Sequence, residues 1–308
     1  MRQFGGKYSI DHFDSNHCSP GSTNKGSCIN DKLIIKIAKI VNNLINDEHI
    51  NINESTNNIH NNLCRIIKNL TKCSSESCWL NINEIINKLN HNEKNEFFSS
   101  FRPLMPKKWI KTNYKEWLNT INIEDCLNQY DKATSDFLFY GAVPIDFSNC
   151  SVNRKLCNFN LNEHINNNIS KIGIVFNTDE HDEPGEHWIS MYIDIKGNNM
   201  NKIPGIYFFD SFGNKAPDEI LSFVNKIKEQ GKKLNINFKY LYNDYSHQNR
   251  NNQCGVYCIN FIIGMLKNKN FKYYKYKNSD LNDNKMILNR KKYFIKPLKI
   301  KFKKNLKK

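Results

Sequence analysis

The 308-residue sequence predicts an α+β fold: a mixed central β-sheet flanked by helices, preceded by an N-terminal mainly helical region. Three observations carry this. Short apolar or alternating runs at 171–177, 187–194, 206–209 and 234–242 have the length and pattern of strands. Stretches with apolar residues three and four apart, at 121–130, 217–230 and 256–266, have the pattern of helices, and their order among the strands is that of a mixed sheet with helices packed on it. The N-terminal part shows helical patterns and loops. On this reading residues 1–106 are a helical extension, 107–294 the sheet-bearing domain and 295–308 a basic tail.

Residues 1–30 are loop-like, with a turn at Ser19-Pro20-Gly21-Ser22. Asn30 is placed to cap a helix, since a short polar side chain there accepts an unpaired first-turn N–H. Leu33, Ile34, Ile37, Ala38, Val41, Leu44 and Ile45 trace the apolar face behind it. The Asn-rich stretch 51–62 reads as a loop, and helical patterns resume at 63–70 and 79–98. Pro103 and Pro106, followed by Lys107 and Lys108, mark a linker. Beyond it, the 121–130 helix turns Ile123, Cys126 and Leu127 inward. The 171–177 strand pairs with the strand that His187 opens, and 206–209 is a buried strand ending at Asp210. A last helix runs over 281–294.

Ten cysteines at irregular spacings predict free thiols in a reducing compartment rather than a disulfide framework. His12, His17, Cys18, Cys28, Cys73 and Cys78 fit no familiar finger spacing, so no metal is assigned. No run of 18 apolar residues occurs, so no membrane span is expected, and residues 1–6 have no apolar core of a secretory signal.

Chemistry concentrates between His187 and Leu266. Cys254-Gly255 sits where a polar run, 246–253, gives way to the apolar helix pattern of Val256, Ile259, Ile263 and Leu266. A thiol in a first helical turn gains from the dipole and from unpaired N–H groups, which favour the thiolate. His187 opens one strand and Asp210 closes another; strands ending level put the carboxylate beside the imidazole, fixing its tautomer for the thiol. Gln248 is the side-chain donor for an oxyanion, with the Cys254 N–H as the second. Gly255 lets the backbone approach a bound carbonyl. Each residue alone has an ordinary reading as a buried thiol, a strand-end acid or a polar loop residue. The joint arrangement carries the assignment, with Asp194 the alternative acid.

The order His187-Trp188, Phe209-Asp210-Ser211, Gln248, then Cys254-Gly255-Val256-Tyr257 resembles the Ulp/adenain-like (clan CE) cysteine proteases. These include SUMO-deconjugating enzymes, the adenovirus protease and maturation proteases of large DNA viruses. The resemblance implies a papain-like/adenain-type catalytic domain with Cys254 as nucleophile, His187 as base, Asp210 as orienting acid and Gln248 as oxyanion donor. Gln253 stands where the SUMO enzymes usually have Asp, and the gap from His187 to Asp210 is longer than theirs, with 197–201 as the excess hairpin. Trp117-Leu118-Asn119-Thr120 is similar to the Trp-Leu-Asn-Asp opening of those enzymes. By that likeness Trp117 and Trp188 wall a tunnel that admits only Gly-Gly, with Gly255 beside it.

Lys and Arg outnumber Asp and Glu by 45 to 30, a formal charge of +15. With the tyrosines interleaved among lysines at 271–277, this suits a polyanion at the basic C-terminal region, and DNA is considered as an activator; no cofactor is required. The function expected is a cysteine endopeptidase that cleaves viral capsid or core precursors at Gly-containing sites during virion maturation, in the virion and the host cytoplasm. Its partners are then a polyprotein or structural precursor and, through the basic region, nucleic acid. Two alternatives stand beside it: a SUMO- or ubiquitin-like protein deconjugase, and a basic nucleic-acid-binding protein on an inactive protease fold.

Overall fold

A computed structural model describes residues 17–22, 26–46, 48–200, 202–250, 252–278 and 280–301; His12 lies outside them. Among the described residues the chain forms two units, one of 108–291 and one of 17–107 with 292–301. These divisions fall at 107/108 and 291/292, so the described residues from 292 onward, read from the sequence as the end of the catalytic domain and a separate tail, belong to the N-terminal unit.

In the N-terminal unit, α1 (Asp31–Asn42) starts where Asn30 accepts the Leu33 N–H at 2.9 Å. Leu44 and Ile45 fall beyond its end. The stretch read as an Asn-rich loop is corrected: α2 runs Thr56–Thr71, with Ser55 accepting the Asn58 N–H. Composition concealed the periodicity there, since Ile59, Leu63, Ile66 and Ile67 form one buried stripe among exposed asparagines. The helical pattern over 79–98 is broken into α3 (Glu76–Trp79), α4 (Asn83–Ile86) and α5 (His91–Ser99). A reciprocal cap restarts the last, with Asn90 N–H on Glu93 and Glu93 N–H on Asn90. Ile295 bonds on both sides to the 103–105 segment, so the chain beyond 291 completes this unit's core.

The expectation of free thiols throughout is also corrected. Cys18–Cys28, Cys73–Cys78 and Cys150–Cys157 are disulfides, and Cys64, Cys126, Cys254 and Cys258 remain thiols. The bridged residues are only 10, 5 and 7 positions apart, so each pairing closes a local loop. Such pairs leave no long-range framework for the spacing to reveal.

The larger unit begins with α6 (Lys107–Lys111) and α7 (Thr120–Ala133), then β1 (Phe137–Val143), α8 (Arg154–Cys157) and α9 (Leu161–Asn166). Then come β2 (Lys171–Asn177), β3 (Trp188–Asp194), β4 (Gly205–Phe209), α10 (Asp218–Lys233) and β5 (Lys239–Tyr242). It closes with α11 (Cys254–Leu266), α12 (Lys272–Lys275) and α13 (Asp283–Tyr293), which crosses into the second division. The five strands lie in sequence order, with β1–β2 and β4–β5 parallel and β2–β3 and β3–β4 antiparallel. The last strand is shorter than 234–242, because Leu234 ends α10 and Ile236 lies in the turn after it.

Both faces of the sheet are covered, so the strands are apolar at nearly every position. Ile172, Ile174 and Phe176, Ile189, Met191 and Ile193, and Ile206 and Phe208 share a core with Ile220, Phe223, Val224 and Ile227 of α10. The opposite face takes α11: a Cβ on Gly173 would lie 3.1 Å from Ile262, and Phe209 stacks on Phe261 at 5.0 Å. Because α11 is buried on all sides but Asn260, its first residue is fixed as firmly as the core. Among the described residues no helix is long and apolar enough to cross a membrane.

Candidate active site

Sheet register brings the acid and the base together. Ser190 pairs with Phe209 across β3 and β4, so His187, just before β3, faces Asp210, just after β4. His187 Nε2 lies 2.7 Å from Asp210 Oδ1. The other ring nitrogen is thereby left for the Cys254 thiol, which bears on the imidazole from the start of α11. Phe212 lies against the ring at 4.9 Å between centroids. Burial pushes the imidazole down, but the Asp210 and Cys254 hydrogen bonds and their charges outweigh it and raise His187 to about 9. Thus the imidazolium form prevails at neutral pH, which suits a thiolate–imidazolium pair.

Asp210 is held from four sides. Oδ1 also accepts the Phe212 N–H at 2.9 Å, and Oδ2 accepts from Asn214 at 2.8 Å. The buried Asn243 side chain accepts the Asp210 N–H and donates to its carbonyl. Asp194 is elsewhere: its carboxylate accepts the N–H groups of Gly197 and Asn199 and shapes the β3–β4 turn.

Cys254 is the first residue of α11 and is 3 % exposed. No side chain caps this helix; Val256 and Tyr257 N–H both donate to the Gln253 carbonyl. The first-turn N–H groups before them point toward the thiol's neighbourhood, as helix geometry requires. Gln248 is 2 % exposed. Its Oε1 accepts from Ser211 Oγ at 2.7 Å and its Nε2 donates to the Arg250 carbonyl, leaving the second amide hydrogen. Asp283 steadies this loop, accepting the Asn249 N–H and the Tyr257 hydroxyl.

Trp117, 42 % exposed, and Trp188, 6 % exposed, line one cavity of about 630 Å³ with Leu118, Pro144, Asn177 and Gly185. The Trp188 indole N–H donates to Leu118 O at 2.8 Å. Gly255 lies beneath them: a Cβ there would stand 3.0 Å from Leu118 Cβ and 3.4 Å from Trp188 Cδ1. Its missing side chain therefore serves packing of the helix start against the groove wall. Of the basic aromatic stretch, Tyr274 is buried with its hydroxyl on Asn260 O, while Tyr276 is exposed.

Sequence reasoning missed Asn214, Asn243 and Arg290. In a chain so rich in asparagine, two structural asparagines carry no signal, and Arg290 sits among many basic residues.

With a thiol, an imidazole and a carboxylate assembled on it, the fold carries the equipment of a cysteine-type endopeptidase. A model of the family described as YopJ serine/threonine acetyltransferase matches residues 145–306, just over half the chain, and the chain belongs to that family. The chain is similar to a protein of Acanthamoeba polyphaga mimivirus designated a thiol protease: 29 % identity over 272 residues, 83 % of this chain and 86 % of that protein. It is similar also to a cysteine protease of African swine fever virus, 29 % identical over 103 residues, 33 % of this chain and 36 % of the relative. The crystal structure of an African swine fever virus protease superposes with a TM-score of 0.64, at 19 % identity, over 91 % of this chain and 96 % of that one. That likeness is one of fold.

Proposed function

We propose that the chain is a maturation-type endopeptidase that cuts capsid or core precursor proteins of a large DNA virus at Gly-containing sites. The observation that carries the reading is the His187 imidazole bonded to Asp210 at 2.7 Å, with the Cys254 thiol at the start of α11 acting on the same ring. The Cys254 thiolate attacks the scissile carbonyl, and the carbonyl π electrons move to oxygen. The Cys254 N–H and the second Gln248 amide hydrogen receive that oxyanion. As it collapses, the C–N bond breaks and His187 gives its proton to the leaving amine, leaving a thioester. Water, losing a proton to His187, then attacks the thioester and expels the thiolate. Trp117 and Trp188 form the walls that favour residues without side chains before the bond.

The acetyltransferase family model supports a second reading of the same thiol, in which Cys254 takes an acetyl group from an acetyl thioester donor, expelling the donor's thiol, and a serine or threonine hydroxyl, losing its proton to His187, then takes the acetyl group in place of water. Turnover of Gly-Gly-Xaa peptides by wild type, Cys254→Ala and His187→Ala, with and without DNA, tests the first reading. Cleavage abolished in both variants supports it. No cleavage by wild type under any condition, alongside transfer of a labelled acetyl group to protein hydroxyls, replaces it with the second.

A further inference from the structure

Arg290, in α13, is fully buried, yet among the described residues it has no carboxylate within ion-pairing distance. Glu116, the acid that bears on it most, is paired instead with Lys108 at 3.1 Å. A buried cation without a counter-ion is costly to desolvate, so its retention calls for a partner. Its hydrogen bonds go to three backbone carbonyls. Nη1 donates to Tyr114 O at 3.2 Å and Glu116 O at 2.8 Å, and Nη2 donates to Asn252 O at 3.1 Å. The guanidinium lies over the Trp109 ring at 4.7 Å, and Nε is without an acceptor.

Those carbonyls belong to two pieces of the site. Asn252 precedes Cys254 by two residues, and the 114–118 segment ends at Trp117 and Leu118 of the groove wall. Asn113 and Tyr114 adopt left-handed φ values of 52° and 63°. Residues with a Cβ are strained in that conformation and need surrounding contacts to hold them there. Gln253 Nε2 donates to the same Tyr114 carbonyl at 2.9 Å, so two donors from the site converge on one strained turn.

We propose that Arg290 is a positioning residue of the active site: its buried guanidinium ties the 114–118 wall to the turn that presents Cys254 and adds a fixed positive charge behind the thiolate, beside the His187 imidazolium that pairs with it. This rests on the reading of Cys254 as the nucleophile. The charged or titratable groups facing Cys254 are His187 before β3, Asp210 after β4, Cys258 one turn along α11, and Arg290 from α13. Those facing Arg290 besides are Glu116 and Tyr114. Burial pulls Arg290 down to about 10, and against it Cys254 is the strongest holding influence, ahead of Glu116 and Tyr114. Arginine suits the place because its planar fork reaches several carbonyls at once while keeping its charge.

The test is the pH profile of iodoacetamide alkylation at Cys254, followed by mass spectrometry in the full chain, for wild type, Arg290→Lys and Arg290→Gln. Both variants keep a donor for the Tyr114 carbonyl, and only Lys keeps the charge. The Gln variant is expected to shift the acidic limb up by about one unit, about tenfold slower alkylation on that limb, while Lys stays with wild type. A folded Gln variant with the wild-type limb, or Lys and Gln displaced equally, overturns the proposal. Should Gln fail to fold, Lys alone decides, since a raised limb in the folded Lys protein overturns it equally. Wild type with no acidic limb at Cys254 would sink the nucleophile assignment instead.

Discussion

Asn243 grips Asp210 by both ends of its backbone: Oδ1 accepts the Asp210 N–H at 2.9 Å and Nδ2 donates to the Asp210 carbonyl at 2.6 Å. Parallel pairing of β4 with β5 places this asparagine, just past β5, level with the acid. Asn243→Ala leaves the buried Asp210 N–H unpaired, at about 1–3 kcal/mol, while the Asp210 carbonyl keeps the Gly213 N–H at 2.8 Å. We expect melting to fall accordingly and kcat/KM for peptide to drop. Differential scanning calorimetry with steady-state kinetics checks it, and unchanged kinetics in a destabilised variant would confine Asn243 to folding.

Gln248→Ala removes the side-chain donor proposed for the oxyanion. The expected result is a kcat lower by about 100- to 1,000-fold with little change in KM. Because Gln248 also receives the Ser211 hydroxyl, melting must be recorded alongside. A kcat within a few-fold of wild type would leave the helix N–H groups as sole donors.

His187 carries a pH signature. Despite burial, its bonds to Asp210 and Cys254 raise it from 6.5 to about 9. A folded-state value above the unfolded one stabilises fully below about 6.5, and that contribution is lost as pH rises through 9. Wild type should therefore exceed His187→Gln in melting temperature most at pH 6.5 and below, with the difference falling away as pH passes 9. The alkaline limb of kcat/KM should lie near 9 as well. A limb near 6.5 would mean that the pairing is absent in solution.

Gly255→Ala forces a methyl to 3.0 Å from Leu118 Cβ and 3.4 Å from Trp188 Cδ1. Overpacking of this kind costs about 1–3 kcal/mol. The expected outcome is a lower melting temperature and a raised KM for Gly-Gly peptides, through displacement of the groove wall. Peptide titration and thermal melting decide it.

Reduction addresses the N-terminal unit. Cys18–Cys28 and Cys73–Cys78 close loops of 10 and 5 residues, worth roughly 2–3 kcal/mol each in a chain-entropy account. Phosphine reductant should lower melting in a Cys254→Ala background. A Cys18→Ser/Cys73→Ser double variant should begin low and lose further only what Cys150–Cys157 contributes.

The strands and the site were legible where a residue type is chemically committed. His187, Asp210 and Cys254 each sit at a junction of polar and apolar runs, and such junctions are where strands and helices end, so topology could be read from them. Asn243, Asn214 and Ser55 were not legible. Their contributions are single hydrogen bonds made at a distance or at a cap, and the chain's abundant asparagine hides them. Arg290 was hidden differently: nothing in a basic helix marks which cation turns inward, because that depends on where the Tyr114 turn lies in three dimensions. The Cys18–Cys28 pairing escaped for a related reason, since buried Glu76, which accepts the Cys28 N–H at 2.7 Å, comes from 48 residues away.

The sequence-ordered sheet also has a consequence for the ribosome. His187 and Asp210 meet across one antiparallel pair, β3 with β4, so both belong to one contiguous stretch of chain that is synthesised before the thiol. The thiol follows only with α11, and the guanidinium behind it later still. Because synthesis delivers segments from the N-terminus onward, a nascent chain carries the acid–base half well before it carries a nucleophile seated against it. Translation itself thus delays proteolysis until nearly the whole catalytic unit exists, sparing the emerging polypeptide from its own cutting.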